Sequence, residues 1–270
     1  MLPRLQAVHR PETMGEALDL LAQPGVRVMA LYGGPELFDK LEAAAEMEEV
    51  VSLAALGLER VIETAEGVRI GAMAPLTALP AGDLAGAAAR SYPLNLRAMW
   101  TVGAVAAHGG ASSPLLATLL ALDARVELAG EQTLPLADYL PQRAPTDLIT
   151  AVIVPGDSRG ALAFEAVART PSDEPIVCAA ARVAVVGGSF ESAALALGGA
   201  AITAIRAREV EAALTGRPAA REAVESAVEA LGALNPPADF RGSSAYRREM
   251  AKVTARRALL RAMEAGQAPA

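Results

Sequence analysis

The sequence is poor in the residues that most metal and nucleophile chemistry requires. It holds one cysteine, Cys178, and two histidines, His9 and His108. A lone cysteine excludes a disulfide framework and any cysteine-rich zinc or iron–sulfur site, and two histidines make no metal cluster. Lysine is nearly missing, with Lys40 and Lys252 alone among 24 basic residues. Neither follows a glycine, so there is no P-loop. No two glycines stand at G-x-G spacing, which removes the dinucleotide fingerprint. Long apolar runs are missing too: "PLLATLLAL" stops at Asp123, and "MLPRLQAVHRPETM" lacks the apolar stretch of a signal peptide. The expectation is a cytoplasmic chain with no membrane insertion.

What is present is a large apolar fraction, 53% of 270 residues. That supports a sizeable core in one large domain or two to three subdomains. The net charge of −7, from 24 basic and 31 acidic residues, argues against a nucleic-acid partner, which needs a cationic face. "HGGASS" has the look of an esterase oxyanion loop, yet no G-x-S-x-G elbow accompanies it. His108 stands alone as a base. The pairs Glu48-Glu49 and Asp173-Glu174 read as solvated surface. No catalytic residue and no metal ligand is expected.

Along the chain, Thr13 and Glu16 suggest a capping box ahead of the helix "ALDLLA". The β-branched run "VRVMALY" predicts a buried strand ending at Gly33-Gly34, followed by a helix "ELFDKLEAAAEM" with Pro35 in its first turn. "VVSLA" predicts a second strand, so residues 1–55 form a βαβ-like subdomain. Residues 56–157 open on the hairpin "ERVIETAEGVRIGAM" and continue with alanine-rich helices, the loop "RAMWTVGAVAAHGG", a buried helix "PLLATLLALDA" and the strands "RVELA" and "DLITAVIVP". Residues 158–270 bring three strands of a small antiparallel sheet and then helices. In the last helix Tyr246, Met250, Val253 and Leu260 predict an apolar stripe broken by Arg257, with Arg247, Arg248 and Lys252 on solvated faces.

Two glycine loops remain, "LYGGPELF" and "WTVGAVAAHGGASS". Glycines at a strand end let the backbone turn N–H groups toward an anion, and a following helix start adds a favourable dipole. Their order among "HRPETMGEALDLLA", "VRIGAMAPLTAL", "LLALDARVEL", "LITAVIVP", "LTGRP" and "SAYRREMAKVTARRAL" resembles the FAD-binding medium subunits of molybdenum hydroxylases. Carbon monoxide dehydrogenase and the flavin domain of xanthine dehydrogenase are the nearest types. The resemblance covers essentially the whole chain. It implies an α+β fold in which two subdomains of PCMH/VAO type clasp FAD over residues 1–157, followed by a three-stranded antiparallel sheet with helices over 158–270. It also implies partners: a molybdopterin-containing large subunit and a small subunit with two 2Fe–2S clusters, the flavin passing electrons to an external acceptor.

The cofactor positions implied by the resemblance are Tyr32, Gly33, Gly34, Pro35, Glu36 and Leu37 in the first loop. In the second they are Trp100, Thr101, Val102, Gly103, Ala104, Val105 and His108, with Ser113 and Ile149 beyond. Several depart from the family pattern. The first loop usually reads Ala-Gly-Gly-Thr/Ser-Asp/Leu, and here Tyr32 and Pro35 replace the alanine and the hydroxyl residue, Pro35 also removing an N–H. In the second, Arg97, Thr101 and Gly103 keep the pattern, but Trp100 and Ala104 replace glycines and Val105 replaces a polar residue. Pro114 replaces an acidic residue. Valine resists positive φ and offers no hydrogen bond. Three readings are open: a flavin carrier whose loop is rearranged, with Trp100 stacked on the cofactor, an FAD-free structural or assembly subunit with a closed pocket, or a pocket that takes another small nucleotide.

Overall fold

A computed structural model describes residues 5–34, 48–130, 132–157, 159–170 and 173–267. The helix expected over 36–47 lies outside the described residues. The chain divides into two compact units. The first comprises Met1–Ala81, Tyr92–Gly109 and Ala124–Gly156, and the second Gly82–Ser91, Gly110–Asp123 and Asp157–Ala270.

In the first unit, β1 (Ala7–His9), β2 (Val28–Leu31) and β3 (Glu49–Ser52) form a parallel sheet in the order β1-β3-β2. The helix Met14–Leu21 starts where Thr13 Oγ1 accepts from the Glu16 N–H at 3.2 Å. The Glu16 carboxylate reaches past the cap to the Glu12 N–H at 3.1 Å, one residue earlier than in a regular capping box. β1 is absent from the sequence reading because three residues carry no alternation to detect.

The second sheet of this unit is antiparallel, with β4 (Val61–Thr64), β5 (Gly67–Gly71), β6 (Arg125–Leu128), β7 (Thr133–Pro135) and β8 (Ile149–Pro155) in the order β4-β5-β8-β6-β7. The predicted Glu-Gly hairpin is β4–β5, and β7 is an addition to the sequence reading. Arg69 of β5 and Glu127 of β6 meet at 2.6 Å across β8, where the Thr150 hydroxyl donates to the same carboxylate at 2.6 Å. The Arg69 hydrogen bond holds the Glu127 carboxyl below its ordinary range despite the opposing effect of burial.

The second unit carries β9 (Ala161–Val167), β10 (Val177–Val186), β11 (Ser189–Gly198) and β12 (Ile205–Arg206) in the antiparallel order β12-β11-β10-β9. The α+β class holds, but the sheet has four strands and not three. β12 is two residues long, too short to signal itself. The helix Ser244–Gln267 packs on β10 and β9 through Ala251, Ala255, Ala258, Leu259, Ala262 and Met263. The expected stripe holds in part: Leu260 is buried and Met250 packs against the core, but Tyr246 is exposed, and small alanines let the helix approach the sheet closely.

Arg247 is also corrected, being 3% exposed and not solvated. Its guanidinium pairs with Asp239 at 2.6 Å and donates to the Ile176 carbonyl at 2.7 Å. Burial pushes the Asp239 carboxyl up, but the Arg247 and Arg241 hydrogen bonds outweigh it and bring the group down to about 2. A depressed carboxyl adds stability that is full above its unfolded value of about 3.9 and lost as pH falls through the folded value. The stability gap between wild type and Asp239→Asn is therefore expected to be constant above about pH 4 and to close toward pH 2. Urea titrations across that range measure it; a gap that persists unchanged at the acid end refutes the assignment.

Candidate cofactor site

The first loop leaves β2 at Tyr32, whose side chain is fully buried. Its hydroxyl donates to the Asp147 carbonyl at 2.6 Å and accepts from the Ile149 N–H at 2.8 Å. The ring stands edge-on to His108 with centroids 6.0 Å apart. His108 is 8% exposed and its Nε2 lies 3.4 Å from the Ala30 carbonyl oxygen. Tyr32 therefore ties the end of the parallel sheet to the start of β8. Gly34 has φ +114° and open space around it, so backbone conformation and not crowding requires glycine there. Pro35, Glu36 and Leu37 lie outside the described residues.

The second loop is corrected to a helix, Val102–His108, all seven residues of which are buried. Thr101 caps it, its Oγ1 accepting from the Ala104 N–H at 3.2 Å and donating to the Tyr32 carbonyl at 3.4 Å. A helix start normally leaves its first N–H groups without intrahelical partners. Here Val102 donates to the Ala74 carbonyl at 3.1 Å, Gly103 to Ala72 at 2.9 Å, and Val105 to Thr101 at 3.1 Å. At the other end Arg143 donates to the Ala106 and Gly109 carbonyls at 3.2 and 3.1 Å. Burial lowers the Arg143 pKa.

Gly103 is needed by the protein itself. A Cβ there would sit 2.7 Å from both the Ala72 oxygen and Tyr32 Cδ1. Gly103→Ala is expected to cost about 1–3 kcal/mol through overpacking against backbone. Chemical denaturation measures this, and a loss within experimental error would show that the helix shifts freely.

The remaining positions are structural in the same way. Trp100 is 2% exposed and stacks on Tyr92, with centroids 4.8 Å apart and planes 18° from parallel. One indole face is therefore already covered. Ala104, Val105 and Ile149 have no exposure. Arg97 ends the short helix Leu94–Arg97, and its Nε is buried without a partner among the described residues. In the second unit Ser113 caps the helix Pro114–Ala121, accepting from the Leu116 N–H at 3.3 Å, and Pro114 is buried at its first position.

Tyr32, Thr101, Gly103, His108 and Ile149 are thus brought together in the first unit around one tyrosine ring. Sequence reasoning missed Asp147, Ala72 and Ala74, which act through main-chain carbonyls and leave no side-chain signal. It also missed Arg143 and Tyr92. Among the described residues no three His, Cys, Asp or Glu side chains gather as a metal site, and no helix is long and apolar enough to cross a membrane. Tested for fit, the cradle is divided. At the helix start the N–H groups of Val102, Gly103, Ala104 and Val105 and the Thr101 hydroxyl are all engaged within the protein, which weakens this part of the cradle for a pyrophosphate.

Comparison with known proteins agrees with this geometry of strands and loops. Residues 4–157 match the FAD binding domain in molybdopterin dehydrogenase, and residues 162–262 match the CO dehydrogenase flavoprotein C-terminal domain. The chain is 30% identical over 282 residues to the carbon monoxide dehydrogenase medium chain of Afipia carboxidovorans, covering 97% of this chain and 98% of that one. It is 26% identical over 272 residues to the glyceraldehyde dehydrogenase medium chain of Sulfolobus acidocaldarius, covering 94% and 96%. Among solved structures, the Cu,Mo-CO dehydrogenase in its cyanide-inactivated form contains a chain that superposes with a TM-score of 0.88 at 28% identity, covering 98% of this chain and 99% of that one.

Proposed function

The chain belongs to the family of FAD-binding medium subunits of molybdenum hydroxylases, and on that premise we propose that it serves as the flavin subunit of such an oxidoreductase. The observation that carries the proposal is the extent of the match: both family domains are present in order, and the fold follows a carbon monoxide dehydrogenase chain over 98% of the sequence. FAD, when bound, links one-electron iron–sulfur carriers to an external acceptor. The protein's part is to hold and shield that group.

In this reading residues 1–157 form the cofactor domain and 158–270 the domain that completes the subunit. Gly33 and Gly34 keep the two glycines of the family's first loop. Thr101–His108 supply a rigid wall, and Tyr32 sets the spacing between the two. The partners are a molybdopterin-containing large subunit and a 2Fe–2S small subunit in the cytoplasm. The large subunit determines the substrate.

The engaged helix start favours a second reading, an FAD-free subunit that only bridges its partners. Isolation of the native complex decides between them. Visible flavin absorption, with about one flavin released per copy of this chain on denaturation, is the expected result for a single binding cradle. A complex that contains all three subunits but no flavin would overturn the flavin reading.

A further inference from the structure

We propose that Arg97 and the exposed apolar residues on either side of it form a docking point for a partner protein, one that brings a carboxylate side chain flanked by apolar residues. The partner is a subunit of the proposed oxidoreductase complex, so the inference rests on that reading for its partner and not for its flavin. All of the residues concerned belong to the first unit.

Taking an arginine out of water without giving it an acceptor is unfavourable. Where this fold buries or half-buries one elsewhere, it supplies that acceptor. Arg69, Arg182, Arg206, Arg241 and Arg247 meet carboxylates, and Arg143 and Arg248 donate to main-chain carbonyls. Arg97 is the exception among the described residues: it is half-buried, its Nε is shielded from solvent, and it makes no hydrogen bond and no ion pair. The sequence explains why no acid answers it. Between Asp83 and Asp123 the chain holds no aspartate or glutamate, and the turn Leu76–Ala78, which packs against the Leu94–Arg97 helix, lies in a second such stretch from Gly67 to Gly82. In a chain with 31 acidic residues and a net charge of −7, that gap leaves the neutralising carboxylate to a partner.

The surface around Arg97 suits the same partner. Leu94 is 67% exposed and Met99 56%, and Pro93, Asn95 and Ala98 are exposed with them. Single exposed hydrophobes are ordinary, but two that flank an unpaired arginine have the composition of an interface, where Arg and Met are enriched. The segment is held in place before any partner arrives. The Arg97 N–H donates to the Pro93 carbonyl at 3.0 Å, Met99 and Trp100 donate to Leu96 at 2.9 and 2.8 Å, and the Trp100 carbonyl accepts from Leu76 at 2.9 Å. The buried Trp100 ring, stacked on Tyr92, anchors its end. A preformed surface loses little entropy on binding. A small free anion would pair with Arg97 and leave Leu94 and Met99 in water, whereas a protein segment covers all three.

The test is reassembly of the native complex from the full chain and its purified partner subunits, with affinity measured at low and high salt. Arg97→Gln is expected to weaken assembly by about tenfold or more and to flatten its salt dependence, while Leu94→Ser weakens it with the salt dependence kept. The isolated Arg97→Gln chain should unfold at the same urea concentration as wild type, because the arginine has no bond there to lose; a merely structural role predicts the opposite pattern. A zero-length carbodiimide crosslink is the second arm. The chain has only Lys40 and Lys252, so Arg97→Lys adds an amine against a low background, and mass spectrometry should find it joined to an Asp or Glu of a partner subunit. Assembly of Arg97→Gln at wild-type affinity overturns the proposal, as does an Arg97→Lys crosslink to another copy of this chain or to nothing. Should Arg97→Gln fail to fold, the crosslink decides. Flavin content is read separately from the visible spectrum. A colourless complex that depends on Arg97 overturns the flavin reading alone, and a flavin-bearing complex indifferent to Arg97 overturns this inference alone.

Discussion

Tyr32→Ala is expected to destabilise the first unit by about 3–5 kcal/mol, the range for truncating a large buried aromatic. The size of the effect comes from three losses that coincide. The ring is fully buried and leaves a cavity between the Val102–His108 helix and β8. The Ile149 N–H and the Asp147 carbonyl lose their partner together. The edge contact with His108 disappears as well. The family pattern has alanine at this position, so the variant restores the commoner residue and is still expected to be worse, because the surroundings here are built around the tyrosine.

Tyr32→Phe separates these losses. It keeps the packing and removes the hydroxyl, so it should cost about 1–3 kcal/mol, the penalty for unsatisfied buried groups. Hydrogen exchange adds a local readout: the Ile149 amide should lose protection in Tyr32→Phe while amides of β10 do not change. Urea unfolding and exchange together check the claim. A Tyr32→Ala loss below about 1 kcal/mol would mean the site collapses to fill the gap, contrary to a rigid wall at the cofactor site.

The same tyrosine shows where sequence reasoning reaches its limit. "VRVMALY" and its glycine turn are legible because a β-branched run bounded by glycine has few alternatives. What Tyr32 does is not, since its partners are backbone atoms 115 and 117 positions away. The glycines of the second loop suggest a loop, yet the segment is a helix. Every residue from Val102 to His108 is buried, so there is no polar face to reveal a helical period. The Thr101 cap is the available signal, and within a cofactor motif it is easily taken for a phosphate contact. A long-range contact misleads in the same way at Arg247, whose guanidinium donates to the buried Ile176 carbonyl 71 positions away as well as pairing with Asp239 on the preceding turn. The order of motifs, by contrast, depends on no single contact, which is why the family and the α+β class are readable while the state of the site is not.

Glu211→Ala is expected to cost the second unit about 3–5 kcal/mol, the usual result of removing one member of a buried ion pair. Glu211 is 6% exposed and holds three groups: the Leu195 N–H at 2.8 Å, Arg206 Nε at 2.6 Å and Arg208 at 3.2 Å. Burial works against the Arg206 charge, and Glu211 with Asp123 more than offsets it, raising its pKa. Asp123, with φ +55°, pairs with both Arg206 and Arg182. Those two arginines donate to the Leu120 and Ala121 carbonyls, each at 2.9 Å, so cations cap the C-terminal end of the Pro114–Ala121 helix. Loss of Glu211 leaves Arg206 with one carboxylate where it had two and orphans the Leu195 amide in the middle of β11. Glu211→Gln keeps an acceptor for that amide and should recover part of the loss. Replacing Arg206 and Glu211 together by methionine and leucine should cost far less than the single truncation, because no charge is left buried alone. A double-mutant cycle read by chemical denaturation measures the coupling. A coupling below about 0.5 kcal/mol would show that water solvates Arg206 in the variant, and that the helix carrying Ser113 at its cap is held by packing and not by this network.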